Sequence, residues 1–175
     1  MSELIKKNIS DLKNKIQFLC DKYKRDFPEI ELIAVSKYQK IEDIKNAHEY
    51  GLNHFGENYI QEWKEKSEFI LTELNNIKWH IIGNLQKNKA KFLNNQIHCL
   101  QSLDNLSLAK EIERKSPLDT KLNVLIQIQM DKNDITKSGI PSEKANELIE
   151  FIANSKKLNF QGFMGIGPEK MAEIE

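Results

Sequence analysis

The residue with the clearest chemical potential in this sequence is Lys37, which closes the short apolar run Leu32-Ile33-Ala34-Val35-Ser36-Lys37. Pro28 precedes the run and a helical pattern follows it, so the run is typical of the first strand of a βα unit. In barrels built from such units, functional groups collect at the carboxyl ends of the strands. A lysine partly removed from water at such an edge can attack an aldehyde and form a Schiff base. Position alone also fits a solvated lysine just past a strand, because lysines are seldom buried.

The histidines and cysteines give no metal-ligand pattern along the sequence. His48, His54, His80 and His98 form no helix-spaced ligand pair, and no cysteine pair accompanies them. Two cysteines, at positions 20 and 99, lie in apolar stretches where free thiols are usually buried and inert. We therefore predict reduced cysteines and independence of metals.

Length and composition are those of one globular domain with a sizeable core. The 175 residues are 39% hydrophobic and 30% charged, and 26 basic residues balance 26 acidic ones. No overall field favours a nucleic acid, and the basic cluster at 86–91 has no interleaved aromatic residues, as on a solvated helix face. No apolar run is long enough to span a bilayer and the start does not resemble a secretion signal, so a cytoplasmic protein is expected.

The elements that must position Lys37 alternate between strands and helices. Apolar residues at steps of three and four predict an opening helix from Ile5 to Tyr23. Strand and helix patterns then alternate, including a helix at 85–93 and a helix after Gly167-Pro168. The six predicted strands lie at 31–37, 53–55, 78–82, 97–100, 122–129 and 159–164. This alternation predicts a parallel sheet, either a barrel or an open sheet, and the absence of a GxGxxG motif and a P-loop argues against nucleotide-binding open sheets.

Three segments taken together carry a family resemblance: Leu32 to Lys37, His54-Phe55-Gly56-Glu57-Asn58-Tyr59-Ile60-Gln61-Glu62, and Trp79-His80-Ile81-Ile82-Gly83-Asn84-Leu85-Gln86-Lys87-Asn88-Lys89. Two later segments agree, Lys137-Ser138-Gly139 and Gly162-Phe163-Met164-Gly165-Ile166-Gly167-Pro168. In order and spacing these segments resemble the pyridoxal-phosphate homeostasis proteins, over the whole length of the chain.

The resemblance implies a TIM-type (β/α)₈ barrel of the alanine racemase N-terminal type. It also implies that pyridoxal 5′-phosphate (PLP) binds as a Schiff base on Lys37. Members of the family have no established turnover and are regarded as carriers or buffers of the cofactor in vitamin B6 and amino-acid homeostasis. The resemblance further implies a monomer in the full-length form, with PLP-dependent apoenzymes as possible recipients.

Four further residues match the family segments, and each also has an ordinary structural explanation. Asn58 is expected near the cofactor ring, or else caps the following helix. His80 is expected to point into the barrel, either towards the cofactor or as a satisfied core group. Gly83 permits a close approach of ligand or backbone, or simply makes a turn. Met164 packs beside the ring, or fills the core.

The sequence departs from the family pattern in a few places. Asn84 stands where histidine is frequent, Gly165 where threonine is common, and Tyr38-Gln39-Lys40 replaces the usual threonine-lysine-proline run. Only about six βα units are counted before Glu175, so we expect a single domain over residues 1–175 that lacks strands 7 and 8. In the family that last part carries the turn whose amides hold the cofactor phosphate, in keeping with the general barrel rule.

Three functions from different classes remain open on this evidence. The first, which the resemblance favours, is a non-catalytic PLP carrier. The second is an enzyme, either a PLP-dependent racemase or decarboxylase or a Schiff-base aldolase, although no second acid–base residue can be placed opposite Lys37. The third is an inert fragment without cofactor, because the phosphate-binding turn is absent.

Overall fold

A six-stranded parallel sheet forms the centre of the molecule, and its strands follow one another in sequence order. The computed structural model describes residues 2–70, 73–74, 76–130 and 138–167. Each strand pairs with the strands that precede and follow it in sequence, and a helical connection links each strand to the next. This is the arrangement of the (β/α)₈ barrel rather than of a doubly wound sheet. Strands and helices alternate as follows: α1 (Ser2–Tyr23), β1 (Ala34–Val35), α2 (Ile41–Glu49), β2 (His54–Glu57), α3 (Ile60–Ile70), β3 (Lys78–Ile81), β4 (Ile97–Leu103), α4 (Leu106–Lys115), β5 (Leu122–Ile128), α5 (Ala145–Ala153) and β6 (Leu158–Gly165).

The two sheet faces have different chemistry, because side chains alternate along each strand. The helix face packs Phe55, Trp79 and Ile81 against the apolar sides of α2 and α3, and this layer forms the core. The opposite face, called the inner face below, carries polar and small residues. Its members include His54, Gly56, His80, Gln101, Asn123 and Gln127.

Local sequence signals explain the ends of several helices. Gly51 adopts φ +80°, which only glycine tolerates easily, and its N–H donates to His48 O as α2 ends. Asn105 caps α4 by accepting a hydrogen bond from the N–H of Leu108 at 2.8 Å. Both signals can be read directly from the sequence.

Some predicted boundaries are wrong. The segment 85–93 forms a short 3₁₀ helix, Lys87–Phe92, rather than an α-helix, because Ala90 is the one buried residue of that helix and the buried Leu85 and Leu93 lie outside it. Strand β1 spans Ala34–Val35 rather than 31–37, because within the described residues it has β2 as its single pairing partner. The helix predicted after Gly167-Pro168 lies outside the described residues. Within the described part of the chain, no helix combines the length and apolarity needed to cross a membrane.

Candidate functional site

Lys37 lies in a tight turn just beyond β1, at the carboxyl edge of the sheet. The turn is closed by a hydrogen bond from the N–H of Gln39 to Ser36 O at 3.0 Å, with Tyr38 in the left-handed region at φ +60°. The Lys37 side chain is exposed, which agrees with the solvated lysine that its position also fits, and not with a lysine partly removed from water. Among the described residues its ammonium group has no hydrogen-bond or ion-pair partner, so the amine is available to a ligand.

Both neighbours of Lys37 are held in place by charged groups that are buried or half-buried. Lys66 of α3 donates to Ser36 O at 2.6 Å, to Glu57 Oε1 at 2.8 Å and to Glu62 Oε1 at 2.8 Å. Glu62 Oε1 also accepts the N–H of Tyr38 at 2.6 Å, and the Ser36 hydroxyl donates to Glu57 Oε1 at 2.6 Å. The turn that carries Lys37 is thus tied to β2 and α3, and we call Glu57, Glu62 and Lys66 the clamp.

The electrostatics of the clamp follow from its burial. Glu57 is fully buried and Lys66 is nearly so. Burial raises the pKa of Glu57, although the hydrogen bonds from Lys66 and Ser36 oppose that rise. Burial also pushes the pKa of Glu62 upwards, but the bonds from Lys66 and the Tyr38 N–H outweigh it and the net shift is downwards. The second oxygen of Glu57, Oε2, is buried and has no partner among the described residues.

Asn58 and Gly83 meet at the carboxyl ends of β2 and β3. The Asn58 side chain is half-buried and makes no hydrogen bond within the described residues. It does not cap α3, because Tyr59 holds the position before the helix and Tyr59 O accepts the Trp63 N–H at 3.0 Å. A Cβ on Gly83 would lie 2.3 Å from Asn58 O, so the close approach made possible by this glycine is to backbone.

His80 lies on the inner face, as predicted, but one level away from Lys37. Val35, Gly56 and His80 are in register across β1, β2 and β3, and Lys37 is two residues further along the chain than Val35. His80 instead hydrogen-bonds to His54 and Gln101. The structure therefore supports the satisfied-group alternative, and a contact of His80 with a cofactor stays a prediction.

Met164 is the penultimate residue of β6, at the carboxyl end of the strand farthest from β1 in the sheet. It is half-buried and in register with Gln127 of the inner face. A Cβ on the following residue, Gly165, would lie 2.7 Å from the flexible Met130 side chain, which would have to shift to make room for the threonine common in the family. The predicted contact of Met164 with a cofactor ring stays a prediction.

A polar contact at the carboxyl ends of β3 and β5 is not apparent from the sequence. The Asn84 amide donates to Ser138 Oγ at 3.2 Å, and the Gln127 amide donates to Ser138 O at 2.8 Å. Asn84, one of the departures from the family pattern, therefore anchors the segment after β5.

The structure also groups three histidines that sequence spacing does not associate. His54, His80 and His98 lie on β2, β3 and β4, and one ring nitrogen of each lies within 4.8 Å of those of the other two. Spacing along the chain misses this set because neighbouring parallel strands, not one helix, bring the rings together. The prediction of metal independence rested on the absence of a helix-spaced pair, a criterion that cannot detect a group formed across strands, and it stays a prediction.

Comparison with known proteins agrees with this architecture. Residues 8–172 match the family described as alanine racemase, N-terminal domain. The pyridoxal phosphate homeostasis protein of Pasteurella multocida is 36% identical over 163 residues, covering 93% of this chain and 70% of that protein. The solved structure of PipY from Synechococcus elongatus PCC7942 with PLP bound superposes with a TM-score of 0.73 at 25% identity, covering 89% of this chain and 72% of PipY.

A second solved structure shows the fold at greater sequence distance. A protein from Bifidobacterium adolescentis, described as unknown, has a TM-score of 0.85 at 22% identity, covering 98% of this chain and 73% of its own. The six strands of this chain therefore correspond to part of a (β/α) barrel of the alanine racemase N-terminal type.

Proposed function

Because this chain belongs to the pyridoxal phosphate homeostasis protein family, we propose that it binds PLP covalently through Lys37 and acts as a carrier without turnover. The observation that carries the proposal is the free amine of Lys37, held on a clamped turn at the carboxyl edge of a barrel sheet. The PLP bound to the PipY relative supports the choice of cofactor.

The residues present fit an aldehyde cofactor at this edge. Lys37 supplies a primary amine with no competing partner in the described residues, and Asn58 supplies a half-buried amide beside it at the next strand end. In the proposed reaction Lys37 Nζ bonds to the aldehyde carbon, and the aldehyde oxygen leaves as water with the two amine protons. When bound, PLP supplies an electron-withdrawing ring and a reversible imine.

The clamp gives this chain its own part in binding. It fixes Ser36 and Tyr38 on either side of Lys37, so the lysine backbone is positioned before the ligand arrives. A positioned turn lowers the ordering cost of binding. Lys66, whose Nζ makes three bonds inside the clamp, is occupied and does not compete as a second amine.

The proposed role as a carrier has consequences beyond the site. We propose one PLP-binding domain in the cytoplasm, monomeric in its full-length form, that passes cofactor to PLP-dependent apoenzymes. Naming of the relatives as homeostasis proteins supports a function other than catalysis.

Mass spectrometry after borohydride reduction tests the cofactor proposal. Purified protein is mixed with stoichiometric PLP and reduced, and the adduct is mapped by peptide analysis. We expect one adduct on Lys37, absent in Lys37→Ala and retained in Lys40→Ala, whose lysine lies in the same loop. Adducts scattered over surface lysines, or an unchanged yield in Lys37→Ala, would contradict the proposal.

The carrier role is tested separately from binding. The PLP-loaded protein is incubated with L-alanine and other L-amino acids, and the products are resolved by chiral chromatography. No D-enantiomer, decarboxylation product or keto acid above the level of free PLP is expected. Turnover that disappears in Lys37→Ala would show that the protein is an enzyme and not a carrier, and the proposed cofactor site on Lys37 would still hold.

A further inference from the structure

The three histidines on the inner face form a compact group of nitrogen donors, separate from the Lys37 turn. His54 Nδ1 and His80 Nε2 are 2.9 Å apart. The His98 ring stands edge-on to both, with ring centroids at 5.6 Å from His54 and 5.2 Å from His80. His80 is buried and the other two are half-buried, so the group is accessible from one side.

Two further side chains orient the rings from outside. His54 Nε2 contacts Glu31 Oε1 at 2.9 Å, and the Gln101 amide contacts His80 Nδ1 at 2.9 Å. When His54 Nε2–H donates its hydrogen bond to Glu31, the Nδ1 lone pair of His54 points into the group. Turning the Gln101 amide end for end places its oxygen against His80 Nδ1–H, which frees the Nε2 lone pair. Carboxylates and amides in these positions are typical partners of metal-ligating histidines.

We propose that His54 Nδ1, His80 Nε2 and a ring nitrogen of His98 bind one divalent transition-metal ion of the Zn²⁺ type. Imidazole is a preferred ligand of such ions, and three histidines leave a fourth position open to water or another ligand. Tetrahedral Zn²⁺ with bonds of about 2.0 Å separates its ligand atoms by about 3.3 Å. The 2.9 Å pair therefore needs to open slightly, and a modest rotation of His98 brings it within reach.

The charges around the site are mixed but compatible with a cation. Glu31 supplies one negative charge through His54, whereas Lys78 on the neighbouring strand opposes the ion.

Competition titration tests the site in PLP-free protein that has been dialysed against chelator. Zn²⁺ is added in the presence of a chromophoric chelator, and Co²⁺ binding is followed by its visible d–d absorption. We expect one ion per chain and a four-coordinate Co²⁺ spectrum. His54→Gln and His80→Gln are each expected to weaken binding at least about 100-fold, because each removes a ligand.

Two further variants keep the test decisive if a core histidine substitution disturbs folding. Glu31→Gln changes a half-exposed residue and is expected to weaken binding about 10- to 100-fold through His54. His48→Gln, with the same number of histidines as the ligand variants, is expected to bind as the unmodified chain does. Binding below one equivalent, or binding unaffected by Glu31→Gln and His54→Gln, would overturn the proposal.

The metal site and the cofactor site are separable by experiment. Lys37→Ala is expected to bind the metal normally, and His54→Gln is expected to retain the PLP adduct on Lys37. If the experiment contradicts one of the two sites, the proposal for the other site therefore still stands. Loss of metal binding in Lys37→Ala would contradict a site that stands apart from the Lys37 turn.

Discussion

Gly83 is the glycine at which an added Cβ would make the shortest contact, and that contact is with backbone. A Cβ at this position would lie 2.3 Å from Asn58 O and 2.8 Å from Asn58 Cα, both backbone atoms that cannot swing away. We expect Gly83→Ala to lower the free energy of unfolding by about 1–3 kcal/mol, the usual cost of overpacking. Urea denaturation measures this change, with Gly167→Ala as the control because a Cβ there meets nothing within 4 Å. Equal stabilities of the two variants would contradict the steric argument.

At the scale of single residues, sequence reasoning found the amine and the close approach but missed the charged support. Lys37 and Gly83 are recognisable because each follows a short apolar strand. The clamp could have been found from Lys66, a lysine that follows the buried Trp63 by three positions on α3 and so lies on the buried stripe of the helix. Such a lysine needs an acidic partner, and Glu57 at the end of β2 is near.

At the scale of elements, the clamp couples the β1 turn, the end of β2 and helix α3. Lys66→Met would leave Glu57 buried without a cation, so we expect a loss of about 3–5 kcal/mol in the free energy of unfolding. The double variant Lys66→Met/Glu57→Gln should recover part of that loss, because the uncompensated charge is removed. Chemical denaturation of the four members of the cycle measures the coupling.

The control for the clamp lies on the same helix. Lys64 is exposed and pairs loosely with Glu68 at 3.9 Å, so Lys64→Met should change stability by less than about 0.5 kcal/mol. If Lys66→Met were as mild as Lys64→Met, the clamp would not hold the fold together. The rate of PLP adduct formation on Lys37 then reports whether the turn itself has loosened.

Element boundaries show which sequence signals are strong. Helices α2 and α4 follow their apolar periodicity closely, since each buries one stripe against the molecule. Helix α1 forms where its periodicity predicts, but Leu12, Leu19 and Tyr23 of that apolar pattern are exposed. The prediction fails at 85–93, where the backbone forms a 3₁₀ helix, Lys87–Phe92, in which lysines and an asparagine outnumber the apolar residues. The sequence also fails to predict that β1 is short, because its length depends on whether it pairs with one neighbouring strand or with two, and this is set by the whole sheet.

At the scale of the whole molecule, strand alternation predicts the parallel sheet but not what meets across it. The three histidines occupy the first residue of β2, the third of β3 and the second of β4. Their meeting depends on the register, which includes a bulge between Trp79 and His80 in the pairing of β3 with β4. The spacing of the histidines along the chain does not indicate that register, so the group of three histidines is recognised only in the assembled sheet.

The same group makes the stability of the whole molecule depend on pH. Burial lowers the pKa of His80 from about 6.5 to about 3, and burial also lowers the pKa values of His54 and His98. Between pH 6.5 and pH 3 the unfolded chain therefore binds more protons than the folded protein, and stability falls as the pH falls. Each histidine kept neutral contributes a slope of up to about 1.4 kcal/mol per pH unit.

Urea denaturation at pH 7, 6 and 5 in the presence of EDTA measures this dependence in metal-free protein. We expect the free energy of unfolding to decrease steadily over that range, and His80→Gln to show a shallower decrease because one proton-binding group of the unfolded chain is gone. The comparison isolates His80, because the carboxylates titrate in both proteins and cancel in the difference. Parallel curves would mean that the pKa of His80 is not lowered in the folded protein. A neutral His80 within the hydrogen-bonded series that runs from Gln101 through His80 and His54 to Glu31 would then be wrong.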